Sequence, residues 1–223
     1  RADVRIDAPI VRHTGFPETL EDVQAHAELS HDGFAIRHFS AHAGGGDIAG
    51  DAARFPELAR RIPFGRRQQP LGYIEADGWF PTRYDLRARA DNVQVKWNDT
   101  LPPAVGHASL VFDGPADAML LHGDVTIDEM TFSDRINWEE WIVAIGNDLL
   151  TEARPTSDEG LFALDIGIEA DKTIALANNV SDAVASADLR VVGDTSRTGM
   201  LGWVRIENGA VYLQDREFTV ERG

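Results

Sequence analysis

The chain has 223 residues, enough for one large domain or two small ones, with 43% hydrophobic and 26% charged residues. Its formal charge is −16, from 37 Asp and Glu against 21 Lys and Arg, which repels phosphate backbones and excludes nucleic acid as an expected partner. With no cysteine, disulfide scaffolds and thiolate chemistry are excluded, and no apolar run is long enough to span a bilayer as a helix.

The opening RADVRIDAPIV alternates from its first residues, with Val4, Ile6, Ala8 and Ile10 between Asp3, Arg5 and Asp7. Such a start, with no visible signal peptide, is expected of a piece of a longer chain. Val23, Ala25, Ala27 and Leu29 alternate with Gln24, His26 and Glu28, and Phe34 and Ile36 follow Gly33. SAHAGGGDIAGD (40–51) reads as a hairpin with a glycine-rich bend. No Gly-Lys-Ser/Thr follows those glycines, so they predict no phosphate cradle. FPELARRI (55–62) suits a short helical turn. Tyr84, Leu86, Ala88 and Ala90 alternate with Asp85, Arg87 and Arg89. At Asp91-Asn92 the phase slips by one, and Val93, Val95 and Trp97 take up the apolar positions, which predicts a bulge or a tight reversal. DGPAD (113–117) resembles a turn, after which Leu121, Val125 and Ile127 continue the series.

One segment has a different period. Trp138, Trp141, Ile142, Ile145 and Leu149 fall at helical spacing, Asn137 with Glu140 forms a capping box, and Pro155 follows. These predict one amphipathic α-helix over 138–151, weakened at Gly146 by about 1 kcal/mol relative to Ala. Alternation then resumes. Phe162, Leu164, Ile166 and Ile168 alternate with Ala163, Asp165, Gly167 and Glu169, followed by Ile174, Leu176, Leu189 and Val191.

The closing GWVRIENGAVYLQDREFTVERG is expected to fold as a meander. Asn208-Gly209 is a two-residue type I′ turn signal that would pair Ile206 with Val211 and Val204 with Leu213. A second turn at Asp215-Arg216 would pair Leu213 with Phe218 and Val211 with Val220. Val204, Ile206, Val211, Leu213, Phe218 and Val220 then share one face, and Trp203, Arg205, Tyr212 and Glu217 lie on the other.

Period 2 with polar alternates, broken by Gly, Pro, Asn and Asp, predicts about a dozen antiparallel strands with one wetted face. Two architectures fit. The sheet either closes on itself as a sandwich or barrel, or curls into an open trough with an accessible apolar lining. Strands of about six residues spaced ~4.8 Å apart would give the open form roughly 1,000 Å² of lining. That exceeds what a monomer leaves bare, so acyl chains are a plausible occupant at about 0.8 kcal/mol per buried methylene.

Chemical motifs are few. His26, His31, His38 and His42 are close in sequence, but no metal-ligand spacing accompanies them. There is no Gly-x-Ser-x-Gly elbow, and the carboxylates sit at outward strand positions. No enzyme activity, metal or cofactor is expected.

The last 65 residues resemble the C-terminal domain of the TamB family, long AsmA-like proteins anchored in the inner membrane of Gram-negative bacteria. The resemblance is carried by LFALDIGIEADKTIALANNVSDAVASADLRVVGD and by GMLGWVRIENGAVYLQDREFTVERG. Ile174, Asn178, Asn179, Ala187, Asp188, Leu189, Val191, Gly193, Leu201, Gly202, Val204, Gly209, Val211, Phe218, Val220 and Gly223 fit the family pattern. INWEEWI is similar to its tryptophan-containing segment, and FAIRHFSAHAGGGDIAGDA and HASLVFDGPADAMLLHGDVTIDEM to its β repeats. Arg197-Thr198 stands where the family commonly has a proline, and members usually run on past the position of Gly223.

The resemblance implies a mostly β fold: an elongated, curled antiparallel sheet, a half-pipe or β-taco groove, with the one helix. It divides the chain into groove repeats (1–132), helix and linker (133–157) and a C-terminal meander (158–223). It implies a periplasmic protein bridging the inner and outer membranes for phospholipid transport, with an Omp85-type, TamA-like outer-membrane partner. An assembly role for outer-membrane β-barrels through β-augmentation is the alternative. Acyl chains would then meet Val4, Ile6, Val23, Leu29, Phe34, Ile36, Val93, Val95, Leu121, Val125 and Ile127. They would also meet Trp138, Trp141 and Ile145 of the helix. Downstream they would meet Leu164, Ile166, Ile168, Ile174, Leu176, Leu189 and Val191, and the closing six residues from Val204 to Val220.

Overall fold

A computed structural model describes residues 2–12, 18–31, 33–50, 72–78, 80–96, 102–133, 135, 161–213 and 216–220. The segments expected as a helix over 138–151 and as a helical turn at 55–62 lie outside these described residues. Among the described residues, twelve strands form one sheet: β1 (Ala2–Val11), β2 (Leu20–Ser30), β3 (Gly33–Ala43), β4 (Gly46–Ala49), β5 (Gly72–Asp77), β6 (Phe80–Val95), β7 (Ala104–Pro115), β8 (Leu120–Phe132), β9 (Ala163–Ala177), β10 (Ser181–Asp194), β11 (Thr198–Leu213) and β12 (Arg216–Val220). The order is β1-β2-β3-β4-β6-β7-β8-β9-β10-β11-β12, and β5 pairs with both β3 and β6.

The strands are long. β6 and β11 run 16 residues and β9 runs 15, against the six or so expected from the polar breaks. Many breaks in the alternation are bulges inside strands rather than turns between them. The slip at Asp91-Asn92 is one, between Ala90 and Val93, with Asn92 at φ 54°. Others offset Val105–Gly106 against Glu129–Ile127, Ala187–Ala185 against Ala170–Ile174, and Ala185–Val184 against Ile206–Asn208. These irregularities occupy neighbouring positions from β6 to β11. A bulge bends its strand and increases its twist, so a row of them creases the sheet across its strands and curls it into an elongated half-pipe. Gly106 sits on this crease, where a Cβ would lie 2.1 Å from the Thr126 carbonyl oxygen.

The expected turn at Asn208-Gly209 is corrected by the structure. β11 runs straight through it, pairing with β10 from Thr198–Gly193 to Val211–Ser181. Among the described residues the non-glycine positions at positive φ are Asp22, Asn92 and Lys172, so Asn208 makes no type I′ turn; of this pair Gly209 alone takes a positive φ, 131°. Continuing straight keeps residues 209–211 on the β10 ladder, hydrogen bonds that a hairpin there would forfeit. The last pairing differs by two residues, with Val211 opposite Phe218 and Leu213 opposite Arg216.

Among the described strands one junction is parallel, β8 with β9, where uniform antiparallel pairing was expected. The glycine-rich bend appears as foreseen, with Ala43 opposite Gly46 across Gly44-Gly45. Two polar side chains build the C-terminal turns. Asn178 Oδ1 accepts hydrogen bonds from the Val180 and Ser181 amides, each at 3.0 Å, between β9 and β10. Asp194 Oδ1 accepts from the Ser196 and Arg197 amides at 2.7 and 2.8 Å between β10 and β11. This Asx geometry supplies the chain reversal where the family commonly carries proline.

Candidate functional site: the apolar face

Residues paired across a ladder share a face, so the register sorts the paired residues of the described strands. Taken from Ala185 through β9, β8, β7, β6 and the N-terminal strands, one face collects Val4, Ile6, Val23, Leu29, Phe34, Ile36, Val93, Val95, Leu121, Val125 and Ile127. The same face carries Leu164, Ile166, Ile168, Ile174, Leu176, Leu189, Val191, Val204, Ile206, Val211, Leu213, Phe218 and Val220. Every expected lining residue within the described strands is therefore on one side of the sheet. Trp138, Trp141 and Ile145 lie outside the described residues.

Several residues of this face were not in the expected lining. Phe39, Ile74, Leu86, Leu110, Met130 and Phe132 join it. Leu86 and Leu110 follow plain alternation and were within reach of the pattern. Phe39 and Met130 were hidden by bulges at Arg37 and Asp128, which move the apolar rows from one parity to the other. Aromatic rings join across strands here: Phe112 meets Tyr84 edge-on at 5.6 Å and Phe162 at 5.3 Å.

Burial on this face varies along the sheet. At the crease, Ala170, Ile174, Ala185 and Ala187 form a buried floor, with Ile127, Met130, Phe132, Leu176 and Leu189 packed around them. Other residues of the face are open: Val204 is 62% exposed, Phe218 51% and Ile6 51%. Strand packing follows the ladder, and among the described residues no second sheet lies on either face. Among the described residues β1 and β12 each pair with a single neighbour and not with each other, so the described strands do not close into a barrel.

The opposite face is charged and cross-linked. Arg190 donates through Nε and Nη2 to the two Asp165 oxygens at 2.5 and 2.7 Å. This bond holds the Asp165 carboxyl below its ordinary 3.8, partly opposed by desolvation, and raises the Arg190 guanidinium. Arg37 likewise lowers Glu28 through a 2.9 Å hydrogen bond. The histidines face carboxylates on adjacent strands: His26 with Asp3, His42 with Asp47 at 2.6 Å, and His107 with Asp128 at 2.9 Å. These partners are set by strand register, which alternation along the chain does not give. Among the described residues no three His, Asp or Glu side chains are placed to hold a metal ion. The arrangement offers an apolar trough floor backed by a charged, hydrated exterior.

Comparison with curated proteins and with solved structures returned no match. The family model of the TamB C-terminal domain matches residues 71–223, from the start of β5 onward. With more than half of the chain matched and the curled half-pipe in place, the chain belongs to the TamB family through its C-terminal domain.

Proposed function

We propose that the apolar face is a groove for phospholipid acyl chains, and that the protein uses it to pass phospholipid between the inner and outer membranes. The family's role lies broadly in outer-membrane assembly and lipid transport. The observation that carries the finer reading is the single-layered sheet, whose apolar face keeps Val204, Phe218 and Ile6 half or more exposed. Apolar attraction is non-directional, so a row of Val, Ile, Leu and Phe holds an acyl chain without fixing its position, and headgroups project past the open edge into water. The reading includes a periplasmic chain without enzymatic activity, an inner-membrane anchor on the full-length protein, and an Omp85-type, TamA-like partner at the outer membrane. Extraction and mass spectrometry of lipid bound to the purified chain tests it. Phospholipid recovered in stoichiometric amounts supports the groove, and lipid-free folded protein from phospholipid-rich cells opposes it.

A second reading rests on the sheet edges. β1 and β12 each leave one side without a partner strand among the described residues, the geometry that accepts an added strand. A scaffold for outer-membrane β-barrel strands would bind unfolded strands in pulldowns and carry no lipid.

A further inference from the structure

Among the paired residues of the described strands, the register places one cation on the apolar face. Arg216 opens the edge strand β12 and pairs with Leu213, two residues on from the Val211–Phe218 pair, so it shares the side of Val211, Phe218 and Val220. The other arginines paired in these strands, Arg5, Arg83, Arg87, Arg89, Arg190 and Arg205, all lie on the charged face. We propose that Arg216 takes the phosphate of a phospholipid whose acyl chains lie in the groove. This rests on the groove reading and names the headgroup contact at its edge.

Arg216 stands at a corner of the sheet. The last β10–β11 pair is Ser181–Val211, and the Leu213–Arg216 pair lies beyond it along the strand direction. Among the described residues β12 has no strand on its outer side. The apolar face therefore opens there both at its end and along its edge. A headgroup at Arg216 stays in water while its chains run inward over Phe218, which is half-exposed, and past Val211 and Val220.

The guanidinium is exposed, and among the described residues it has no hydrogen bond, ion pair or ring contact. Glu217, the next residue, faces the other way, opposite Tyr212. The charged-face arginines differ: Arg87 and Arg89 meet Asp85 and Asp91 at 3.2 and 3.1 Å, Arg190 holds Asp165, and Arg205 lies 4.9 Å from the centre of the Trp203 ring. Arg216 thus keeps its donors for a ligand, and its planar fork matches two phosphate oxygens. The net charge of −16 disfavours anionic lipid over the rest of the protein, so one cation at the mouth of the groove admits a phosphodiester at one place.

Matched lipids test the proposal: fluorescent phosphatidylglycerol and the diacylglycerol with the same acyl chains and fluorophore, each titrated onto the purified chain. Circular dichroism confirms the fold of each variant. Arg216→Gln is expected to weaken phosphatidylglycerol binding about three- to tenfold, to leave diacylglycerol binding within about twofold, and to flatten the salt dependence. Arg216→Lys, which keeps the charge, is expected to recover part of the loss, and Arg205→Gln, on the charged face of β11, to change neither lipid. A loss under about twofold with Arg216→Gln, equal losses for both lipids, no recovery with Arg216→Lys, or the same loss with Arg205→Gln overturns the proposal. So does displacement of the lipid by an equal concentration of glycerophosphoglycerol, the same headgroup without chains, which would make Arg216 a site for soluble anions. Wild-type protein that binds neither lipid refutes the groove reading itself, and the headgroup contact falls with it.

Discussion

Val204→Asp separates a groove from a sealed core. Val204 lies on the apolar face opposite Ala187, yet it is 62% exposed. An aspartate there stays in water in the lipid-free protein, so stability should change by no more than about 0.5 kcal/mol, as for other exposed positions. A bound acyl chain would lose apolar contact over two to four methylenes, at about 0.8 kcal/mol each. The resulting ~1.6–3.2 kcal/mol corresponds to roughly 15- to 200-fold weaker binding. Circular dichroism melts give the first quantity. Titration with a fluorescent phospholipid and mass spectrometry of co-purified lipid give the second. An unchanged melt with lipid affinity within twofold of wild type would refute a groove passing Val204. A variant that unfolds would show that this position is covered rather than open.

Three further outcomes follow from the same geometry. Ala185→Leu, at a fully buried position on the crease, should cost about 1–3 kcal/mol by overpacking, seen as a lower urea midpoint with unchanged slope. Gly106→Ala should also destabilise by about 1–3 kcal/mol, because its Cβ must displace the Thr126 carbonyl 2.1 Å away. Asp165 and Asp194 both titrate below their ordinary 3.8 when folded, Asp165 through Arg190 and Asp194 through Ser196 and the 196–197 amides. Their stabilisation is complete above the unfolded value near pH 4 and is lost as pH falls through the lower folded values. Melting temperature should therefore fall below about pH 4, and the double variant Asp165→Asn, Asp194→Asn should show a shallower fall over that range.

The face partition was legible in the sequence even where the topology was not. A two-residue turn and a one-residue bulge both shift the parity of the apolar row by one. Val204 and Ile206 therefore share a face with Val211 and Leu213 whether residues 208–209 reverse the chain or only bulge it. Likewise the two-residue register difference between β11 and β12 leaves Phe218 and Val220 on the expected side, because the side-chain period is two. The family pattern around Asn178 and Asn179 was visible too, but the turn chemistry behind it, three hydrogen bonds to one Asn178 oxygen, needed coordinates.

Alternation is a property of neighbours along the chain, so the sequence by itself determined that this protein is built of strands and which side chains point the same way. Whether those strands close, stack or stay open depends on long-range pairing. The tertiary structure alone decided the continuous β11, the parallel β8–β9 junction, the aligned bulges and the open single layer. Each of these depends on which distant backbone groups meet, and period-2 patterning is the same for every such choice.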